Sequence, residues 1–468
     1  MVVTSAATLA RVCGGEVVAG DTGAMAGTAA IDSREVVSGC AFFALPGERT
    51  DGHDFVRDVL VGGARVVVVT RADEDIRAAF AEAGRRDSAL VLVPDAVEAL
   101  TALATYNRSR LSCPVIGVTG SSGKTTTKDF LYGVLASRMN VIATEGNRNN
   151  ELGVPLTLLR ADGECGAVVV EMAMRGRGQI ADLCAIGQPN IGLVTNIGTS
   201  HIELLGSQEE IASAKGELIA CLPADGRAFL NADDDWSAHL AERSAAPVTY
   251  YGLGERADVR AVDVVTAGNG CVSFVLKTSD DEAPVTLAVP GRHNAYNAAA
   301  AAAVGTYLGL SLSDIAAGLS SANCSPMRME VFETAGSVTV GNDAYNANPA
   351  SMRAAVATLR DMAAEGRRIA VLGDMAELGS LTELAHFRLG EEIAAGGIDL
   401  LVTVGPRARR IADGARAAGF PADAVSSADD AAGALPIVSA LVAAGDVVLV
   451  KASRVMGLET IVEGVTST

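Results

Sequence analysis

Residues Val115 to Thr127 read as an apolar strand, a glycine and serine turn, and a helix start that carries a lysine and three threonines. Nucleotide phosphates are bound by that succession. The turn aims backbone N–H groups at phosphate oxygens and the helix N-terminus adds partial positive charge. Lys124 has the length to reach the β- and γ-phosphates, and the Thr125 hydroxyl can ligate Mg²⁺. The general GxxxxGK[ST] pattern asks for glycine at 118, where this chain has valine. The match therefore rests on Gly120, Gly123, Lys124 and Thr125, with Ser121, Ser122 and Thr126 completing the cradle. A Gly/Ser loop with a solvated lysine is the plainer alternative; the preceding strand and the triple threonine argue for phosphate.

Other polar residues stand at the ends of apolar runs. Glu171 closes Ala167–Val170, where the second metal-binding or water-orienting acid of an ATP site is expected; otherwise it is a solvated strand-end carboxylate. His201 follows the strand Ile191–Asn196 through a short turn, and either packs on the surface or serves the same site. Lys215 lies in an amphipathic helix and by itself reads as a solvated side chain. Asn149 and Asn150, in the polar stretch Gly146–Gly153, hold a substrate or end a loop. Asn294 and Asn297 stand one helical turn apart, on a face where their amides could meet an adenine edge or form an N-cap cluster. Arg328, Asp343, Asn346, Asn348 and the stretch Gly373–Gly379 are polar loop positions between apolar runs, suited to binding or to turn chemistry.

The elements that must position these groups alternate. Strands are expected at Ala41–Leu45, Arg65–Thr70, Val115–Val118, Ala167–Glu171, Ile191–Asn196, Ala228–Asn231, Arg368–Leu372, Leu400–Val404 and Val447–Lys451. Helices are expected at Ala96–Arg108, Lys124–Ser137, Ser207–Cys221, Ser351–Ala364, Leu381–Ala395 and Ala428–Val442. The alanine run Ala298–Ala303 reads as a close-packed helix. Such alternation predicts an α/β fold with mostly parallel sheets and ligands at the carboxyl ends of the strands. At 468 residues the chain should hold about three domains, each large enough to bury its own core. Pro114 opens the second, and Asn323–Arg328 looks like a connector about which a cleft could close.

Hydrophobic residues make up 49% of the chain but aromatics only 4%, so the cores must be built from aliphatic side chains. A net charge of −19 argues against nucleic acid or acidic membranes as partners, without excluding a small anion held by local groups. Eight scattered cysteines with no CxxC pair read as buried thiols of a reducing cytosol. No signal peptide and no membrane span are expected.

The strings Thr119–Thr126, Gly146–Pro155, Pro290–Asn297, Pro326–Glu330, Asp343–Met352 and Gly373–Gly379 run in one order over essentially the whole chain. In that order they resemble the Mur ligase family, ATP-dependent amide-forming enzymes of bacterial cell-wall precursor synthesis. Singly each is weak. The Asp343–Met352 string favours the members that add a dipeptide. The resemblance implies a UDP-sugar-binding α/β domain (residues 1–112), a central P-loop ATPase domain with a parallel sheet (113–322), and a Rossmann-like C-terminal domain for the incoming amine (323–468).

It also implies ATP, Mg²⁺ (two ions), and a Lys215 carbamylated by CO₂, which turns a repulsive ammonium into an anionic ligand. Thr125, Glu171, His201 and Lys215 fall around metal; Lys124, His201 and Lys215 carry the catalysis. Asn294 and Asn297 fall near adenine, and Arg328 and Asp343 clamp the nucleotide. Ser33, Arg34 and the loop Pro46–Phe55 match the uridine-contacting region, and Asn149, Asn150, Asn346 and Asn348 are candidates for substrate. The implied substrates are UDP-N-acetylmuramoyl-tripeptide and D-alanyl-D-alanine, handled by a cytoplasmic monomer. Competing readings are a relative adding a single amino acid, though the Asp-Asn-Pro-Arg tetrapeptide typical of the diaminopimelate-adding enzyme is absent, and a P-loop switch that hydrolyses nucleotide only to change shape.

Overall fold

Runs of consecutive aliphatic residues cannot alternate between core and solvent, so they become strands covered on both faces. In the computed structural model, which describes residues 1–466 apart from 48–49 and 84–85, Cys40–Phe43, Val66–Val69, Ile191–Val194 and Val447–Lys451 are strands buried at every position. They belong to three main sheets. The first runs in the order Glu16–Gly20, Ala89–Leu92, Val66–Val69, Cys40–Phe43, Thr28–Ala30, parallel except for its first strand.

The central sheet places Val115–Thr119 between Ala167–Glu171 and Ile191–Val194, parallel to both. Val141–Ala143 lies outside the former; Arg227–Asn231, Val248–Gly252 and Val259–Thr266 continue beyond the latter. Successive connections from Val115–Thr119 thus leave to opposite sides. The switch point opens a crevice at the carboxyl end of that strand, where the phosphate loop begins.

The expected mostly parallel sheet is extended by two antiparallel pairings, Val259–Thr266 with Cys271–Lys277 and the latter with Glu282–Pro290. Their side chains alternate between more and less buried positions, strictly buried against exposed only along residues 282–288. That two-residue period was present in the sequence and went unread. In the third sheet the order is Glu330–Glu333, Thr339–Asn342, Val447–Lys451, Arg368–Gly373, Leu400–Val404, Val425–Ala428, parallel apart from the first hairpin.

Several elements match expectation to the residue, among them Ala96–Arg108, Ala167–Glu171, Leu400–Val404 and Val447–Lys451. Others end early. Strand Ile191–Val194 stops before Thr195 and Asn196, whose side chains turn to the phosphate loop. The alanine run lies in helix Asn294–Tyr307, with Ala298–Ala303 no more than 1% exposed, packed on helix Lys124–Ala136. A Cβ on Gly318 of the adjoining helix would stand 2.6 Å from the Val134 Cα, so small residues set the spacing of these helices.

The first and central units each enclose a core of their own, around Phe42 and Leu60 in the first and Phe130 and Phe229 in the central one, and share a third. One apolar cluster runs from Leu9 and Leu100 through Val154 and Val170 to Leu218. Buried Asn107 stitches it, donating to the carbonyls of Leu158 and Ala161 at 2.9 Å and accepting from the Val2 amide. All eight cysteines are free thiols. Among the described residues no helix is long and apolar enough to cross a membrane.

Candidate active site

The loop after Val115–Thr119 turns sharply because glycine occupies its two unusual positions. Gly120 has φ +147° and Gly123 φ +80°. A Cβ on Gly120 would come within 1.8 Å of the Thr195 Oγ1, and one on Gly123 within 2.5 Å of the Asn297 Oδ1. Gly120→Ala is therefore expected to lower the unfolding free energy by about 3 kcal/mol through overpacking and a backbone conformation that side chains avoid. Chemical denaturation measures it, and a loss under about 1 kcal/mol would show that the loop yields easily.

Asn196 braces the loop. Its carbonyl accepts from the Ser121 amide at 2.9 Å, its Oδ1 from the Ser122 amide at 3.1 Å, and its Nδ2 donates to the Ser122 carbonyl. Ser121 and Ser122 thus line the cleft with their own amides occupied. The donors left for an anion are the first-turn amides of helix Lys124–Ala136, which have no intrahelical partner.

Two lysines converge beneath this turn. Lys124 Nζ donates to the Gly120 carbonyl at 2.9 Å, and Lys215 Nζ to the same oxygen at 3.0 Å. Lys215 is 1% exposed, not solvated as its helix pattern alone implies. Burial, reinforced by Lys124, pushes its pKa well below the ordinary lysine range. Lys124 is lowered too, by burial opposed by the Glu171 charge.

Glu171 is buried at its strand end; Oε1 accepts from the Asn149 Nδ2 at 2.8 Å, and Oε2 has no partner. His201 lines the cleft with its Nδ1 2.6 Å from the Glu377 Oε2. Burial, the nearby Lys215 and Lys124 lower its pKa against the pull of Glu377. Among the described residues no three His, Cys, Asp or Glu side chains gather closely enough to hold a metal unaided. The partnerless Glu171 oxygen and the Thr125 hydroxyl suit an ion that keeps water and phosphate oxygens around it, as Mg²⁺ does.

The cleft, of about 470 Å³, is shared by the central and C-terminal units. Arg328 crosses between them, stacked 3.8 Å from the Tyr345 ring centroid and donating to the Thr125 Oγ1 at 3.2 Å. Asp343 is occupied: it accepts from the Met329 amide and from Lys451 Nζ, the latter at 2.6 Å. Lys451, which also donates to the Asn346 carbonyl, lines the cleft. Sequence reading left it as the last residue of an apolar strand, although a lysine at a strand's carboxyl end was the available signal. Asn348 caps helix Pro349–Asp361 and donates to the Ser200 Oγ at 3.0 Å across the cleft.

Asn294 and Asn297 also line the cleft, but hydrogen bonds use much of their amides. Asn294 donates to the Pro290 carbonyl and accepts from Asn297, which in turn accepts from the Thr127 hydroxyl. Asn231, Tyr251 and Tyr296 form the neighbouring wall and were not singled out from sequence. Asn149 reaches the cleft, while Asn150 caps the start of helix Gly153–Leu158 through the Gly153 amide.

Ser33 and Arg34 sit in a 3-10 turn outside the cleft, Arg34 exposed and paired with Asp32. The same turn is tied to the Asn149 loop by the ion pair of Glu35 with Arg148, another residue missed from sequence. Of the loop Pro46–Phe55, Glu48 and Arg49 lie outside the described residues.

Residues 29–108 match the family model for the Mur ligase family, catalytic domain; 118–305 match the Mur ligase middle domain, and 327–454 the Mur ligase, glutamate ligase domain. The chain is 37% identical over 436 residues to the UDP-N-acetylmuramoyl-tripeptide–D-alanyl-D-alanine ligase of Bacillus subtilis, covering 93% of this chain and 92% of that one. It is 39% identical over 472 residues to the enzyme of that name from Mycobacterium tuberculosis, covering 93% and 91%. Among solved structures, MurF from Acinetobacter baumannii superimposes with a TM-score of 0.85 at 32% identity, covering 100% of this chain and 99% of that one. MurF ligase from Thermotoga maritima in complex with ADP gives 0.77 at 30%, covering 94% and 97%. A phosphate loop at a sheet switch point, walled by a second α/β unit and matched from end to end, has one conclusion: the chain belongs to the Mur ligase family.

Proposed function

We propose that this chain is the ATP-dependent ligase that joins D-alanyl-D-alanine to the terminal carboxylate of UDP-N-acetylmuramoyl-tripeptide, making the pentapeptide precursor of peptidoglycan. The observation that carries it is the cleft itself: a phosphate loop with Lys124 and, beneath it, the buried Lys215 on one wall, Arg328 and Lys451 from the C-terminal unit on the other. Cationic groups on both sides suit a triphosphate and an activated acid held between them.

A carboxylate is a poor electrophile, so the tripeptide acid first takes the γ-phosphoryl group of ATP, giving an acyl phosphate and ADP. Lys124 and the helix amides from Lys124 to Thr126 stabilise charge on the transferring phosphoryl group. The dipeptide amine then adds to the acyl carbon, and the tetrahedral intermediate expels phosphate as the amide forms. Residues from both units enclose the cleft, excluding water from the acyl phosphate and holding the amine at near-attack distance.

Thr125, Glu171, His201 and a carbamylated Lys215 would hold two Mg²⁺ ions, which when bound neutralise phosphate charge. Burial lowers the Lys215 pKa and so favours the unprotonated amine, the form that adds to CO₂, which supports carbamylation. Asn294 and Asn297 stand for adenine, Arg328 and Asp343 for clamping the nucleotide, and Asn149, Asn346 and Asn348 for the peptides, while Asn150 holds the helix start beside Asn149. Residues 1–112, with Ser33 and Arg34, hold the UDP sugar, 113–322 bind ATP, and 323–468 receive the dipeptide. The chain works as a cytoplasmic monomer, its cleft complete within one chain and its thiols unpaired.

The test is phosphate release from ATP with UDP-muramoyl peptides of different length, each with and without D-alanyl-D-alanine. Turnover should require both the tripeptide and the dipeptide. Nucleotide hydrolysis indifferent to either would replace the ligase with a nucleotide switch.

A further inference from the structure

His201 and Glu377 both adopt left-handed backbone without being glycine, at φ +66° and +60°. They belong to different units, His201 to the central one and Glu377 to the loop after strand Arg368–Gly373 of the C-terminal one. One short hydrogen bond joins them, the imidazole Nδ1 donating to the Glu377 Oε2 at 2.6 Å. Contact continues around it. The Glu203 amide meets the Glu377 carbonyl at 3.4 Å, a Cβ on Gly379 would lie 3.1 Å from the Glu203 side chain, and the Arg175 Nε is 4.0 Å from the Glu377 Oε1. Strained backbone on both sides of a seam, aimed at a single side-chain bond, is what surrounding structure maintains when that bond has a use.

A carboxylate on one imidazole nitrogen fixes which tautomer is present and which way the ring faces. With Nδ1 giving its hydrogen to Glu377, the free lone pair is on Nε2, and His201 lines the phosphate cleft. Resting on the nucleotide-site reading above, we propose that Glu377 is a positioning residue. It orients His201 toward the divalent cation that accompanies the nucleotide, so that the cation is held tightly only while the C-terminal unit stands against the central one. By linkage, cation binding favours that arrangement in return. The orienting carboxylate comes from the unit assigned to the amine substrate. Cation affinity therefore reports whether the second half of the site is in place.

The experiment uses the full chain and Mn²⁺ as probe. Mn²⁺ binding at saturating ADP is followed by electron paramagnetic resonance for the wild type, Glu377→Gln and Glu377→Ala, with X-ray scattering reading the radius of gyration before and after the cation. Glu377→Ala should bind Mn²⁺ about 10- to 100-fold more weakly, the range for lost outer ligands of a metal-bound histidine. Glu377→Gln, whose amide oxygen can still accept, should lose less. ADP affinity without cation should stay unchanged, and the contraction on adding Mn²⁺ should occur in the wild type and disappear in Glu377→Ala.

Mn²⁺ affinity within twofold of wild type in Glu377→Ala would overturn the inference while leaving the nucleotide site intact. So would an equal loss of cation-free ADP affinity, which would mean a generally damaged seam. Failure of the wild type to bind Mn²⁺ with ADP would sink the site reading, and this inference with it.

Discussion

Lys124→Ala is expected to reduce phosphate release by about 10³-fold or more, with the fold intact. Removing one neutral donor from a site that stabilises developing charge costs about 10²–10³ in rate, and a charged donor is roughly twice as strong. Lys124 is a half-buried amine at the head of the phosphate-binding helix and lines the cleft beside the helix amides. Its effect on folding should be small. Its amine donates to the Gly120 carbonyl, and that oxygen also accepts from Lys215. Steady-state phosphate release beside a thermal melt checks both halves; turnover within tenfold of wild type would remove Lys124 from the mechanism.

Lys215→Ala should be similarly inactive, about 10³-fold down, for a different reason. Two amines sharing one carbonyl repel if both are charged, and burial with the Lys124 charge lowers the Lys215 pKa well below the ordinary lysine range, favouring the unprotonated amine. An unprotonated Lys215 amine that added to CO₂ and lost a proton would leave an anionic carbamate beside Lys124. The variant lacks both the amine and the anion. Short carboxylates such as acetate should enter the vacated space and restore part of the activity, whereas a merely structural lysine would not be rescued so. Stripping CO₂ from wild-type enzyme should lower its rate reversibly. Full activity of the variant, or wild-type rates indifferent to CO₂, would defeat the carbamate.

The resemblance to a family and the local signals agreed wherever chemistry was written into consecutive residues. Gly120, Gly123, Lys124 and Thr125 announce a phosphate loop because glycine-only backbone, a reaching cation and a hydroxyl must be adjacent in the chain to serve one phosphate. Glu171 was legible because a run of buried aliphatics before it sets its direction. Lys451 occupies the same kind of strand end and was passed over, and the two-residue alternation of Val259–Pro290 was likewise present but unread. Asn150 and Asn149 are indistinguishable as letters, yet one caps a helix and the other holds Glu171.

By itself the sequence determined the α/β alternation, the strand and helix at the phosphate loop and the residues of its turn, since these depend on neighbours along the chain and on periods of two to four residues. Tertiary structure alone decided that Lys215 is buried against Gly120, that Asp343 is taken by Lys451, that Arg148 grips Glu35, and that His201 meets Glu377. The physical reason is separation. These partners lie tens to more than a hundred residues apart, and nothing in a residue's near neighbours encodes the charge or the dielectric that a distant segment brings to it once the sheets have packed.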